Sequence, residues 1–344
     1  MDTDEIKKEM QSFFDADTLT IVGSGLSLAE GIPGMAGLAE ELTIKLDTML
    51  TDTEDIRVWN LIKTVLSTLG LEGALQKYMP SHNLEEYIRK VTTEFIMEKE
   101  ETVINEVISR KKILKIESYL KCFNIQDKGL QIITTNYDRL IEYACEINNI
   151  KIDNMFVGKY IALLEPKKSK NQFIKDIRKG GKIPVVEYYK RVVLYKPHGC
   201  LSWHIINGTP YSMPYSKNSD SLIITPGSNK YKAGYASPFD IQREQENASI
   251  DNASRYVTIG YGFNDEHLET HLITQIKKGK KILIVTYELS ATATEIVNNY
   301  DNVYACYYGN EKGIDGTYVK IKKDKKFISG KELWDIEKLV EEVF

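Results

Sequence analysis

The last third of the chain alternates two kinds of segment, and this alternation narrows the folds open to it more than any other feature. "RYVTIGYGF" at 255–263, "KKILIVTY" at 280–287 and "NVYACYYG" at 302–309 are short runs rich in Val, Ile and Tyr. Between them lie "DEHLETHLITQIKKG" and "SATATEIVNNY", with apolar residues at helical spacing. Strands that are apolar on both faces need helices on both sides of a parallel sheet to cover them. The same order opens the chain in "LTIVGSGLSLAEGIP" at 19–33, where a strand from Leu19 to Val22 enters a glycine turn. Helical periodicity follows from about Met35 to Leu50, and "LQIITTNYD" at 130–138 again runs into a helix, "RLIEYACEINN". The expected fold class is α/β: a Rossmann-like, doubly wound, mostly parallel sheet with a helical insertion.

The whole chain, 1–344, reads as a single domain. The insertion falls at about 52–125, where "VWNLIKTVLSTL" and "NLEEYIRKVTTEFIMEKEETVINEVISRKKILKIESYL" carry almost no strand signal. A loop-rich smaller subdomain falls at about 151–255, with strand-like pieces "DNMFVGKYI", "VVLYKPHG" and "SLIITPG" between polar loops. "SGKELWDIEKLVEEVF" reads as a closing amphipathic helix capped by Ser329, with Glu332 three residues on.

A formal net charge of -4 argues against a dedicated nucleic-acid binder, because neutralising phosphates takes a concentrated excess of Lys and Arg. The basic runs "KKGKK" and "KIKKDKK" therefore read as solvated loop edges. "MDTDEIKKEMQSFF" has no apolar core of signal-peptide length, and no run approaches the roughly 20 apolar residues that span a bilayer. A cytoplasmic location is expected, with Cys122, Cys145, Cys200 and Cys306 reduced. None of the four is spaced as C-x-x-C, so neither a zinc ribbon nor a thioredoxin-like site is visible.

Four segments carry chemistry. "GSGLS" keeps Gly23 and Gly25 of the dinucleotide fingerprint but has Leu28 where the third glycine belongs. A glycine turn after a strand lets backbone N–H groups approach a pyrophosphate, but it also serves as a plain strand-to-helix turn. "TTNYD" sits at the carboxyl end of a strand, where open α/β sheets bind ligands. Asn136 and Asp138 there can reach a ribose or a carboxamide, or instead fill a turn and cap the next helix. In "KPHGCLSW", His198 lies on a constrained loop, either as a base or bonded to backbone. "TIGYGFNDEHL" places Gly260 and Gly262 after a core strand and opens a helix at Asn264 or Asp265. In "HLETH", His267 and His271 lie one helical turn apart, but without a third ligand a polar helix face is preferred to a metal site. The tyrosines of "YVTIGYG" and "VYACYYG" read as core and sheet packing.

Taken together, these segments resemble the sirtuin superfamily, in its zinc-free bacterial defence branch. "GSGLSLAEGIP" is similar to the sirtuin G-A-G-x-S…G-I-P element and "TTNYD" to T-Q-N-x-D. "KPHG" is similar to the H-G element, and "IGYGF" to the G-[TS]-S turn. Two departures stand out: Gly34, Met35 and Ala36 replace the Asp-Phe-Arg triplet, and the four-cysteine module of the acyl-lysine groove is missing.

The resemblance implies an NAD+ glycohydrolase that consumes NAD+ as substrate, without a metal, and depletes it in antiphage defence. A non-catalytic subunit that binds NAD+ or ADP-ribose is the alternative, and a protein deacylase is disfavoured by the missing cysteines. By the same resemblance Asn136 orients the nicotinamide ribose and a water, Asp138 holds the carboxamide and His198 is the base. Gly23, Gly25 and Ser27 meet the phosphates, and Thr286 and Glu288 fall near the adenosine end. Ser24, Pro33, Thr135, Gly260, Gly262 and Phe263 complete the implied NAD+ set. The implied partners are a second copy of the chain in a homo-oligomer, and a HerA-like ATPase, Argonaute or sensor protein, with control supplied by assembly.

Overall fold

The computed structural model describes residues 3–123, 125, 128–180, 184–214, 221–227 and 236–344. In chain order the strands are Thr18–Val22 (β1), Leu130–Thr134 (β2), Lys151–Asp153 (β3), Phe156–Val157 (β4), Ala162–Leu164 (β5), Ile174–Arg178 (β6), Val185–Tyr188 (β7), Arg191–Tyr195 (β8), Trp203–Ile206 (β9), Thr209–Ser212 (β10), Arg255–Ile259 (β11), Lys281–Thr286 (β12), Val303–Glu311 (β13), Ile314–Ile321 (β14) and Asp324–Ser329 (β15). Nine of them form one sheet in the order β15-β14-β13-β12-β11-β1-β2-β8-β3. Every pairing from β13 to β3 is parallel, while β14 and β15 close the edge as antiparallel strands.

β1 is buried at all five positions, and its alternate residues feed two cores. Val22, Ile132, Leu194, Val257 and Leu283 face one layer of helices: Thr3–Gln11 (α1), Ser24–Glu30 (α2), Lys115–Lys121 (α6), Leu140–Ile147 (α7) and Ile336–Val343. Ile21, Ile133, Tyr195, Tyr256 and Ile284 face the other layer, made by Phe239–Asn252, Glu266–Lys277 and Ala291–Asn299. This is the two-sided α/β sheet that the alternating pattern predicts. The chain steps from β1 through β2 to β8 on one side and from β11 through β12 to β13 on the other. The carboxyl ends of β1 and β11 therefore flank the switch point at which open α/β sheets bind ligands.

The helices Met35–Met49 (α3), Thr53–Lys77 (α4) and His82–Ile108 (α5) bury Leu42, Trp59, Ile62, Leu75, Leu84 and Ile88 in a core of their own. Asp52 caps α4 and Ser81 caps α5. The buried Asp55 accepts from Ser81 Oγ at 2.5 Å and Asn83 Nδ2 at 2.6 Å, which binds α4 to the start of α5. α6 instead joins the main sheet through Ile116, Tyr119 and Leu120. Within 151–255, β4, β5, β10 and β9 form a small antiparallel sheet and β6 pairs with β7, while β8 belongs to the main sheet.

Two expectations are corrected. Ser329 ends β15 rather than capping the last helix, which begins at Ile336 with Asp335 accepting from the N–H groups of Glu337 and Lys338. The intervening chain is held to β14, where Thr317 Oγ1 donates to Lys331 O and accepts from Leu333 N. "KIKKDKK" is a strand–turn–strand rather than a loop edge, since Val319 and Ile321 are core residues on β14. Between them Lys320 is buried, its ammonium donating to Tyr300 O at 2.8 Å and Val303 O at 2.9 Å. No helix among the described residues is long and apolar enough to cross a membrane.

Candidate active site

The turns after β1 and β11 touch. Gly23 N–H donates to Ile259 O at 3.0 Å and Gly25 N–H to Gly260 O at 2.9 Å. A Cβ on Gly25 would lie 2.7 Å from Gly260 Cα, and Gly260 itself has φ +57°. These glycines are thus required by the packing of one turn on the other, and their N–H groups are already engaged. Ser24 and Ser27 are the residues of the first turn that, with Gly23, face the adjoining cavity.

The chain leaving β2 supplies the next wall. Asn136 Nδ2 donates to Gly23 O at 2.9 Å and to Ser27 Oγ at 2.8 Å, and Ser27 Oγ donates to Asp138 Oδ2 at 2.6 Å. An amide, a hydroxyl and a carboxylate, all buried, thereby lock the first turn to the second. Asp138 Oδ1 also accepts from Leu140 N at 3.2 Å, while the N-cap of α7 is Arg139. Behind it, Arg139 is gripped by Glu100 of α5, with Nε 2.8 Å and Nη2 2.5 Å from Oε1. Burial alone would lower the pKa of Arg139, and the Glu100 carboxylate more than reverses this.

His198 stands just past β8. Its loop is fixed by Lys196, whose buried ammonium donates to Asp138 O and to Glu142 Oε1, the latter at 2.8 Å. The His198 carbonyl accepts from Ile224 N at 2.9 Å, and Gly199 turns the chain at φ +93°, where a side chain would strike Leu222 O. His198 Nε2 lies 2.5 Å from Oδ2 of Asp265, the residue that caps the helix Glu266–Lys277. Behind Asp265, the buried Glu246 has its carboxyl pushed up to about 8, by burial first and by the Asp265 charge second, against the pull of Arg243.

These pieces line a partly open cavity of ≈ 210 Å³. Of the residues implied by sequence, Gly23, Ser24, Ser27, Pro33, Thr135, Asn136, Asp138, His198 and Gly262 line it. Gly25 and Gly260 stand behind the lining as packing glycines, and Phe263 is fully buried with its ring 5.0 Å from that of Tyr261. Thr286 and Glu288 lie off the cavity at the carboxyl end of β12, where Thr286 Oγ1 donates to Glu288 O at 3.0 Å. Sequence reasoning missed Tyr261, Asp265, Glu72, Ile96 and Leu38, which also line it. Tyr261 reads as core, and Asp265 shows only its capping signal. Glu72, Ile96 and Leu38 come from α3–α5 and show no signal at all. Among the described residues no group of three or more His, Cys, Asp or Glu is placed to hold a metal. Cys145, Cys200 and Cys306 are buried free thiols, and Cys122 is half-buried.

A family model described as the SIR2-like domain matches residues 130–311, a little over half of the chain and the stretch that carries Asn136, Asp138, His198 and Asp265. No curated protein matches. Among solved structures, one concerning the mechanism and regulation of Sir2 enzymes covers 100% of this chain and 98% of its own, at 12% identity and a TM-score of 0.46. Another, on sirtuin substrate affinity, covers 80% of this chain and 84% of its own, at 15% identity and a TM-score of 0.38. A third, of Sir2Tm bound to a propionylated peptide, covers 83% and 87% at 11% identity and a TM-score of 0.33.

Proposed function

The chain belongs to the SIR2-like domain family, and from that membership we propose that it is an NAD+ glycohydrolase, releasing nicotinamide and ADP-ribose. The observation that carries the reading is the convergence of Asn136, Asp138 and His198, from the ends of β2 and β8, on one cavity at the switch point of the sheet.

Nicotinamide leaves neutral from a pyridinium, taking the electron pair of the C1′–N bond, so its departure requires no acid. The protein's work is to hold the ribose as positive charge develops and to deliver water to C1′. Asp138 fixes the carboxamide of nicotinamide. The Asn136 amide, presented to the cavity by Gly23 and Ser27, orients the ribose and the water, and His198 takes the water's proton. Positioning and base catalysis of this kind each supply about a hundredfold or more. The phosphates lie toward Ser24 and Ser27, and the adenosine end toward Thr286 and Glu288.

A cavity of ≈ 210 Å³ is smaller than the roughly 300–1,000 Å³ of most small-molecule sites. Its size supports a resting state in which full NAD+ access awaits assembly. The partner is a second copy of the chain, or a HerA-like ATPase, an Argonaute or a sensor protein, and the setting is antiphage defence by NAD+ depletion.

The test is chromatography of NAD+ incubated with the purified chain, alone and with candidate partners. Nicotinamide release that drops at least a hundredfold in both Asn136→Ala and His198→Ala is expected. Saturable NAD+ binding without release under any condition would make the chain a binding subunit. Release strictly dependent on an acetylated peptide would make it a deacylase.

A further inference from the structure

We propose that Asp265 is the positioning residue for His198: a carboxylate that fixes which imidazole nitrogen carries the proton and holds the ring toward the cavity. The geometry of Asp265 divides its two oxygens between two tasks. Oδ1 accepts from His267 N at 3.1 Å and Leu268 N at 3.2 Å, which anchors the carboxylate on the first turn of a long helix. Oδ2 is thereby directed at His198 Nε2, at 2.5 Å. Both residues are buried and both line the cavity, so little water competes for the contact. The partner ring is equally constrained, because Lys196 and Ile224 pin its loop on either side.

A carboxylate accepts and does not donate, so a neutral His198 must carry its proton on Nε2. Nδ1 is left with a lone pair for a ribose hydroxyl or the attacking water. This placement rests on the hydrolase reading for its chemistry: as the water oxygen bonds to C1′ and the C1′–N pair leaves with nicotinamide, the water proton moves to Nδ1. The Nε2–H stays in place, and Asp265 stabilises the imidazolium that results. The neighbouring carboxyl, Glu246, is the member of the acidic pair favoured as neutral, because burial and the Asp265 charge both raise its pKa.

Asp265→Asn separates this role from the helix cap, because Asn caps a helix as well as Asp does and keeps the volume. Its amide can donate, and so permits the opposite tautomer. Nitrogen-15 spectra of the protein labelled at its five histidines, with His198 identified by its loss in His198→Ala, read the tautomer directly and need no substrate. The wild type is expected to show protonated Nε2 and bare Nδ1, and Asp265→Asn a shift toward protonated Nδ1. In nicotinamide release, kcat is expected to fall roughly 10²–10⁴-fold with KM changed less than about threefold. Protonated Nδ1 in the wild type, or an Asp265→Asn variant with the wild-type nitrogen pattern or with kcat within twofold, would overturn the proposal. If the wild type releases no nicotinamide under any condition, the hydrolase reading fails and the nitrogen spectra alone decide the role of Asp265.

Discussion

Glu246 sits in an environment far from what its type prefers. Buried in the helix Phe239–Asn252 beside Asp265, with Arg243 as its counter-charge, it holds its proton to about pH 8 where an ordinary glutamate loses it near 4.5. Its folded pKa is raised, so the folded chain binds the extra proton between those values. Its contribution to stability is full below about 4.5 and is lost as pH rises through about 8. The unfolding free energy of the wild type, set against that of Glu246→Gln, is expected to fall by up to about 1.4 kcal/mol per pH unit across this window. Urea denaturation of both chains from pH 5 to pH 9 checks this, and a difference that is flat with pH would show that Glu246 ionises normally. Residues of this kind mark the limit of a sequence reading. Asn136, Asp138 and His198 are legible because each follows a recognisable strand, and strand ends are where α/β sheets expose chemistry. The contact of Asp265 with His198 joins two such ends across the sheet, and nothing local to either residue encodes it. Gly25 shows the converse, a residue read for ligand contact whose missing side chain is explained by the approach of Gly260.

At the scale of elements, the Glu100–Arg139 pair joins α5 to the start of α7, one residue past Asp138. Both side chains are largely buried, so removing one leaves the other charge without compensation. Glu100→Ala is expected to cost about 3–5 kcal/mol in denaturant unfolding, and adding Arg139→Leu to recover much of that loss. Equal losses in the single and double variants would show that the pair does not fasten α5 to the sheet. That α5 is helical is evident in the sequence, within a long stretch almost without strand signals. Its docking is not, because Glu100 is one acid among many in "EKEETVINE" and only the fold shows which one turns inward. The strands follow the same division. β1, β2, β11, β12 and β13 announce themselves because both faces are apolar, whereas β14 is broken by Asp315 and Gly316 and β15 exposes Lys325 and Lys326, so both look like loop. The Ser329–Glu332 spacing imitates a capping box, yet the bonds of Thr317 to Lys331 and Leu333 hold that stretch against β14 and leave the cap to Asp335.

For the whole molecule, the proposed hydrolysis of NAD+ requires a cavity of ≈ 210 Å³ to open to a dinucleotide. Three of its wall residues, Leu38, Glu72 and Ile96, belong to α3, α4 and α5, which share a hydrophobic core of their own and meet the sheet core through Val103 and Ile96 of α5. A body with its own core can shift as a unit, and the cost falls on the contacts at its seam rather than on its interior. Leu28 and Met35, with Ile44 on α3 and Met79 in the link between α4 and α5, offer exposed apolar surface that a partner could cover. An interaction that favours the shifted arrangement can move the population only by its differential affinity for that arrangement, so activity must track assembly quantitatively. If a second copy of the chain is the activator, nicotinamide release per milligram is expected to climb with protein concentration over the range in which light scattering records a rise in mass. Release strictly proportional to concentration, at constant mass, would place control in a different chain and leave α3–α5 as the surface on which to seek it.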